Sequence, residues 1–367
     1  MVEWKKLGEL CRIRTGKLNA NAQEENGIYP FFTCDSKPYK INNYAFDTEA
    51  ILISGNGSQV GHLNYYKGKF NAYQRTYVLD DFHGHIFFIL HYLKCRIREY
   101  IFEKSKKGSV PYITLPMLTD FLIPIPSISE QERIVGILDT FTASIDNIKV
   151  QIEQRRKQYE HYRNTLLTFN KDDDSVEWKT LGEIFNTRNG YTPSTTNEKF
   201  WKEGTIPWFK MEDIRDKGNI LSDSYLHITP LAVKGKGLFK SNSIILATSA
   251  TIGEHAIILT DFLCNQRFTN FSLKEKYSDE VDMKFIYYYM FIIDEWCKQH
   301  INQGGFASVD MTGLYNLTIP IPSLARQQEI VSTLDTFEAS ITNLEAQLEQ
   351  RQKQYEYYRE KLLTNLS

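Results

Sequence analysis

The chain has 367 residues, 42% hydrophobic and 24% charged, a globular balance with length for two or three domains. Its formal net charge of −2 excludes a uniformly basic protein that coats nucleic acid, so any such contact must be local. The five cysteines (Cys11, Cys34, Cys95, Cys264 and Cys297) include no CxxC pair and no metal-ligand spacing, which argues for reduced thiols over a disulfide framework or a zinc site.

The opening MVEWKKLGEL has no signal-like apolar stretch, and no run of about 18 apolar residues follows anywhere. A cytoplasmic protein that spans no membrane is the expectation. Residues 1–122 carry 16 Lys and Arg against 12 Asp and Glu, whereas residues 176–318 carry 15 against 17. If the chain meets DNA, part of the phosphate charge is then left for partner subunits to neutralise.

In chain order, residues 1–126 read as a mixed α/β (α+β) domain. Ala50-Ile51-Leu52-Ile53 reads as a buried strand, Arg75-Thr76-Tyr77-Val78-Leu79 alternates like a strand, and 85–104 reads as a helix. Loops rich in Asn, Ser, Gln, Gly and Lys separate these runs. Lys17, Asn19, Asn21, Asn56, Ser58, Gln59, Lys106, Lys107 and Ser109 are their candidate contacts to DNA, since such side chains hydrogen-bond to base edges and phosphates. Any solvated loop has a similar composition. Residues 94–107, with six Lys and Arg against two Glu, are the more pointed case.

Residues 127–169 read as a long helix. Residues 170–175, Asn-Lys-Asp-Asp-Asp-Ser, are a polar linker without apolar periodicity. A second mixed domain covers 176–322, with strands at Ser243-Ile244-Ile245-Leu246-Ala247 and 268–273 and a helix at 281–298. Its candidate contacts are Thr192, Ser194, Thr195, Lys210, Lys234, Lys236 and Gln303. A second long helix occupies 323–367.

The order of elements reflects an internal repeat. Residues 123–168 and 319–364 are identical at 29 of 46 positions, at an offset of 196. Trp4-Lys5-Lys6-Leu7-Gly8-Glu9-Leu10 returns as Trp178-Lys179-Thr180-Leu181-Gly182-Glu183-Ile184, at an offset of 174. Between these, Val60-Gly61 echoes Ile252-Gly253 and Gln74-Arg75 echoes Gln266-Arg267, at an offset of 192. The remaining sequence has diverged.

Within the repeated block, apolar residues fall at Leu138, Phe141, Ile145, Ile148, Ile152, Tyr159, Tyr162 and Leu166. The second copy has them at Leu334, Phe337, Ile341, Leu344, Leu348, Tyr355, Tyr358 and Leu362. Steps of three and four, broken once by Arg155 and once by Arg351, define a heptad seam. Two near-identical helices with one seam each pair most simply with each other, antiparallel in a pseudo-twofold molecule. Each helix would be about 58 Å long at 1.5 Å per residue. Arg155 and Arg351 either set the register of the pair or extend to its edge. Ile-Pro-Ile-Pro-Ser bars each helix from extending backwards, and Ser129 with Glu132 offers a capping box that the second copy lacks.

Catalytic signatures do not emerge. Gly55-Asn56-Gly57-Ser58-Gln59-Val60-Gly61 has the wrong final spacing for GxGxxG, and no GxxxxGK[ST] occurs. His83, His85 and His91 lack a partner at ligand spacing and read as surface or packed histidines. Asp172-Asp173-Asp174 reads as a linker charge run.

The chain resembles the specificity subunit of type I restriction–modification systems over nearly its whole length. The resemblance rests on Ile123-Pro124-Ile125-Pro126-Ser127 through Glu130-Gln131-Glu132-Arg133-Ile134-Val135 with the heptads that follow, on the repeat of this block, and on the two Trp-Lys-x-Leu-Gly-Glu openings. Gly204-Thr205-Ile206-Pro207-Trp208-Phe209-Lys210 with Asp213 is similar to a strand-and-turn motif of such domains, which the first half lacks. The second block departs from the pattern as Arg326-Gln327-Gln328-Glu329.

The resemblance implies two target-recognition domains, each contacting one part of a split, asymmetric site in double-stranded DNA, with the paired helices setting the gap. It implies two methyltransferase subunits docked on the repeated helices and a restriction (translocase) subunit able to join them. S-adenosylmethionine, ATP and Mg would be held only in those partners, and this chain would carry no catalytic residue, cofactor or metal. A coiled-coil scaffold that binds only protein and a stand-alone DNA-modifying enzyme are the alternatives.

Overall fold

Each half opens on the same pairing. Glu3–Lys6 runs antiparallel to Leu122–Ile125, and Glu177–Thr180 runs antiparallel to Thr318–Ile321. Trp4 thereby faces Pro124, and Trp178 faces Pro320. Each two-stranded ribbon confines the prolines, which cannot donate to a ladder, to an edge. The computed structural model describes residues 2–105, 111–302, 307–364 and 366. It divides into Met1–Ile152 with Leu344–Ser367, and Glu153–Asn343; both divisions fall inside the repeated helices.

In the first unit a six-stranded sheet has the order Arg12–Thr15, Thr76–Asp80, Phe46–Ser54, Leu63–Ala72, Tyr29–Phe32, Tyr39–Ile41. The helix Ile86–Lys104 buries Phe88, Ile89, Leu93, Ile97 and Ile101 in a core shared with Ile51, Ile53 and Leu79 of that sheet. Ile134, Val135 and Leu138 of the first long helix and Leu363 of the second complete this core. The strand expected from Arg75 begins at Thr76, and Arg75 itself stays in the preceding turn.

In the second unit a five-stranded sheet has the order Phe185–Asn189, Phe268–Leu273, Ser243–Ala247, His255–Ile258, Ile220–Leu221. A three-stranded sheet lies beside it in sequence: His227–Ile228, Ile206–Phe209, Leu263–Cys264. The helix Met283–Gln299 packs its Phe285, Ile286, Tyr288 and Ile293 with Ile330, Val331 and Leu334 of the second long helix. A buried hydrogen bond joins His255 Nδ1 to Asp294 Oδ2 at 2.6 Å.

The full motif, Gly204 to Lys210 with Asp213, is absent from the first half as the sequence reading has it, but its strand has a counterpart there. Tyr29–Phe32 pairs antiparallel with Tyr39–Ile41 and parallel with the end of Leu63–Ala72. Ile206–Phe209 likewise pairs antiparallel with His227–Ile228 and parallel with Leu263–Cys264. Gly27, Pro30 and Phe32 occupy the places of Gly204, Pro207 and Phe209, and a Cβ on either glycine would fall 2.2–2.5 Å from the neighbouring backbone. What the first half lacks is the turn after the strand. There the buried Asp213 carboxylate accepts from Lys210 N at 2.9 Å and Tyr225 N at 2.7 Å, starting the helix Met211–Lys217.

The long helices run Ile128–Leu166 and Leu324–Thr364. In the first unit the start of one helix lies against the end of the other: Phe141 stacks on Tyr358 at 5.3 Å and receives Arg351 at 5.7 Å. In the second unit Tyr162 stacks on Phe337 at 5.1 Å, which receives Arg155 at 5.8 Å. The pairing is antiparallel within each unit. The two seam arginines are half-buried with their cations on an aromatic ring of the opposite helix, so they contact the partner strand of the coil instead of turning out to its edge.

Leu138, Ile145, Ile148, Ile152 and Leu334 are buried; Phe141, Tyr159, Phe337, Ile341, Leu344, Leu348 and Tyr355 are half-buried. At the ends the seam shifts by one residue. Leu167 and Leu363, not Leu166 and Leu362, are the fully buried leucines, while Tyr162 and Tyr358 remain exposed. An α-helix of 3.6 residues per turn drifts off a 3.5-residue stripe unless it supercoils, and here the last turn faces a head core.

The helix caps also differ from expectation. Ser127 Oγ accepts from Glu130 N, and Ser323 Oγ accepts from Arg326 N, both at 3.4 Å. Ser129 already lies inside the helix, so no Ser129–Glu132 box forms, and the two copies are capped alike. The linker makes two local turns: Asn170 Oδ1 accepts from Asp172 N, and Asp173 Oδ1 accepts from Ser175 N.

Candidate nucleic-acid interface

The repeat places the same hydrogen bonds around one loop cluster in each head. Gly16 N donates to Thr76 O at 3.3 Å and Gly190 N to Phe268 O at 3.0 Å. Tyr73 N donates to Phe32 O, and Asn265 N to Phe209 O. Thr76 N closes a turn on Tyr73 O, and Phe268 N closes one on Asn265 O. Gly55 N reaches Arg75 O, and Thr248 N reaches Arg267 O; Ile113 N then donates to Gly55 O, and Val309 N to Thr248 O. A Cβ on Gly16 would fall 1.9 Å from Ala72 O, and one on Gly190 would fall 2.3 Å from Asn265 O, so both positions require glycine for close backbone approach.

Upon this shared frame the exposed side chains differ. In the first head Asn19 Oδ1 accepts from Gln74 Nε2 at 3.0 Å, and Asn56 Oδ1 accepts from the Cys34 thiol at 3.0 Å. Gly55, Gln74, Arg75, Tyr77 and Ile113 line an open cavity of about 270 Å³. Asn19 and Asn56 are therefore joined through Gln74, Arg75 and Cys34. Lys17 is exposed in the same loop, and Asn21 in its short 3₁₀ turn; Ser58 and Gln59 are exposed in the turn before Val60.

In the second head Thr192 Oγ1 donates to Gln266 Oε1 at 2.5 Å. Two indoles hold this loop from below: Trp208 Nε1 donates to Tyr191 O and Trp201 Nε1 to Ser194 O, both at 3.0 Å. The Tyr191 hydroxyl donates to Ala232 O and accepts from Lys234 N. Thr192, Ser194, Thr195, Lys234 and Lys236 thus share one exposed surface. Lys210 is half-buried, with Nζ 3.7 Å from Glu212. Lys106, Lys107, Ser109 and Gln303 lie outside the described residues.

The residues that sequence reasoning passed over are Gln74, Arg75, Gln266 and Arg267. Their recurrence at an offset of 192 was the available signal, and their place beside Asn19 and Thr192 gives it meaning.

His91 is buried, with Nε2 2.9 Å from Asp139, and burial lowers its pKa against the opposing pull of that carboxylate. Burial pushes the thiols of Cys11 and Cys297 up to about 12 and that of Cys95 to about 11. Among the described residues no group of three or more His, Cys, Asp or Glu is placed to hold a metal, and no helix is long and apolar enough to cross a membrane.

Two α+β heads with one scaffold and different exposed polar loops, joined to antiparallel helices, define a bipartite recognition protein. The family model for the type I restriction modification DNA specificity domain matches residues 1–155 and 174–353, and the chain belongs to that family. An Escherichia coli relative, the type I restriction enzyme EcoprrI specificity subunit, is 50% identical over 204 residues; the match spans 53% of this chain and 51% of that protein, about half its length. The EcoR124I/EcoR124II specificity subunit of the same organism is 29% identical over 99% of this chain and 94% of its own.

The fold is that of the type I S subunit from M. genitalium, with a TM-score of 0.59 and 17% identity over 100% of this chain and 97% of that one. It is also that of a chain from a structure addressing complex assembly and conformational transition of the type I R-M system, with a TM-score of 0.66 and 15% identity over 99% and 97%.

Proposed function

We propose that this chain is the non-catalytic, DNA-reading subunit of a type I restriction–modification complex, each head reading one half of a split site in double-stranded DNA. One observation carries the reading: an identical hydrogen-bonded frame holds dissimilar exposed loops at the same place in both heads. A fixed frame orients the loop against the duplex, and the variable amides, hydroxyls and ammonium groups choose the bases. Asn19 and Asn56 suit bidentate or acceptor contacts to adenine edges in the first half-site. Thr192, Ser194 and Thr195 with Lys234 and Lys236 present hydroxyls and cations to the second.

Methyl transfer from S-adenosylmethionine, and any ATP- and Mg-dependent step, would belong to partners. Two methyltransferase subunits would dock on the repeated helices, one per repeat, with a restriction subunit joining them. The helices would set the gap between half-sites.

The test is single-molecule methylation mapping of DNA from cells expressing the chain with its methyltransferase partner. A single bipartite motif is expected, and replacing residues 1–126 with the equivalent domain of a relative should rewrite one half of it. Rewriting of both halves, or methylation without a bipartite motif, refutes the proposal.

A further inference from the structure

The Gln-Arg pair recurs in both heads where nearly all the surrounding loop sequence has changed, and that recurrence needs a cause. The fold accounts for the backbone but not for the side chains. Arg75 O accepts from Gly55 N at 2.9 Å, and Arg267 O accepts from Thr248 N at 3.0 Å, roles that any residue fills. Both arginine side chains are exposed, and among the described residues neither guanidinium has a hydrogen bond or an ion pair. A residue held by packing would be buried, and these are not. Each glutamine spends its amide on the divergent loop beside it, Gln74 on Asn19 at 3.0 Å and Gln266 on Thr192 at 2.5 Å.

Two heads that read different bases have one thing in common in their ligands, the sugar–phosphate backbone. A side chain common to both should contact that common part, and a side chain that differs should contact the bases. Arginine suits the task, because its planar guanidinium presents paired donors to phosphate oxygens and keeps its charge at any working pH.

Resting on the DNA-reading function above, we propose that Arg75 and Arg267 each grip one DNA phosphate, and that Gln74 and Gln266 tie the base-reading loop to that grip. The arginine adds affinity wherever the head sits, and the glutamine fixes the orientation of Asn19 or Thr192. In the first head the open cavity lined by Gly55, Gln74 and Arg75 leaves room for a phosphate next to that residue. The arginines are then affinity residues without sequence preference, and the glutamines are positioning residues for specificity.

The experiment measures binding of the chain in complex with its methyltransferase partner to a duplex carrying the methylated motif and to an unrelated duplex, across a salt series. Arg75→Ala and Arg267→Ala should each weaken binding to both duplexes by a similar factor, on the order of ten-fold. Each should flatten the slope of log affinity against log salt by about one, with the methylated motif unchanged. Arg75→Lys and Arg267→Lys should restore the slope, because the charge returns. Gln74→Ala and Gln266→Ala should leave the slope in place and relax the motif, each at one half-site only.

An unchanged slope in the arginine variants overturns the proposal. So does an altered motif in those variants, which would make the arginines base readers. Wild-type complex that binds no DNA and yields no bipartite motif would remove the parent function instead, a result distinct from either.

Discussion

Gln327→Leu is the substitution whose cost can be worked out most directly. Gln327 has no solvent exposure, and its side chain joins three elements. Nε2 donates to Pro322 O and to Glu280 O, both at 2.8 Å, and Oε1 accepts from Asp282 N at 2.8 Å. Asp282 is the N-cap of the helix Met283–Gln299, so one amide ties the start of the long helix to the proline turn before it and to the head helix beside it. Leucine of similar volume keeps the packing and strands two carbonyls and one N–H.

Each stranded group costs about 1–3 kcal/mol, and because the three share one side chain the total should be about 3–5 kcal/mol. Gln131 holds the equivalent place but bonds less: Nε2 donates to Pro126 O at 2.9 Å, and Oε1 is 3.4 Å from His85 N. Gln131→Leu should therefore cost about 1–2 kcal/mol, roughly one carbonyl. Amide exchange reads this locally: protection of the Asp282 amide should fall about 100-fold in Gln327→Leu, against a few-fold for His85 in Gln131→Leu. Urea midpoints should rank the variants in the same order. Equal costs in the two halves, or an Asp282 amide as protected as in wild type, would refute the argument.

Two further outcomes are open to direct measurement. Burial holds the Glu338 carboxyl above its usual range, while its bond from the Tyr159 hydroxyl, at 3.0 Å, opposes the shift only in part. A raised folded-state pKa means that stability is greatest below the ordinary carboxyl range and falls as pH rises through the shifted value. Glu338→Gln should thus be more stable than wild type at neutral pH and lose that slope; thermal unfolding from pH 4 to 8 reads both, and a destabilised variant at pH 7 contradicts the assignment.

Thiol labelling tests the loop cluster. Cys34 is half-exposed beside Asn56, whereas Cys11, Cys264 and Cys297 are buried and Cys95 has its thiol raised to about 11. Cys34 should react first with a maleimide, and DNA carrying the methylated motif should slow it in the partner complex; labelling indifferent to that DNA argues against this surface.

The sequence by itself determined the repeat, the seam and the family. These are periodic or recurrent features, written along the chain at offsets of 174, 192 and 196 and at steps of three and four. Composition also singled out polar loops flanked by glycine, which are legible without contacts. The partner of each loop was not legible, because Asn19 and Gln74 are far apart in the chain and meet only when the strands Arg12–Thr15 and Thr76–Asp80 pair.

The same limit hid the role of Gln131 and Gln327. Their identity across the repeat is plain in the sequence, but the carbonyls and amides they satisfy come from elements up to 47 residues away. Likewise Gly27, Pro30 and Phe32 repeat Gly204, Pro207 and Phe209, but with only three of six letters shared between 27–32 and 204–209 the match was too sparse to be recognised until strand pairing put both sets in the same place. Periodicity is a local property of the chain, and hydrogen-bond satisfaction in a buried joint is a property of the packed structure; the first determined what kind of protein this is, and the second decided which residues hold its helices and loops in place.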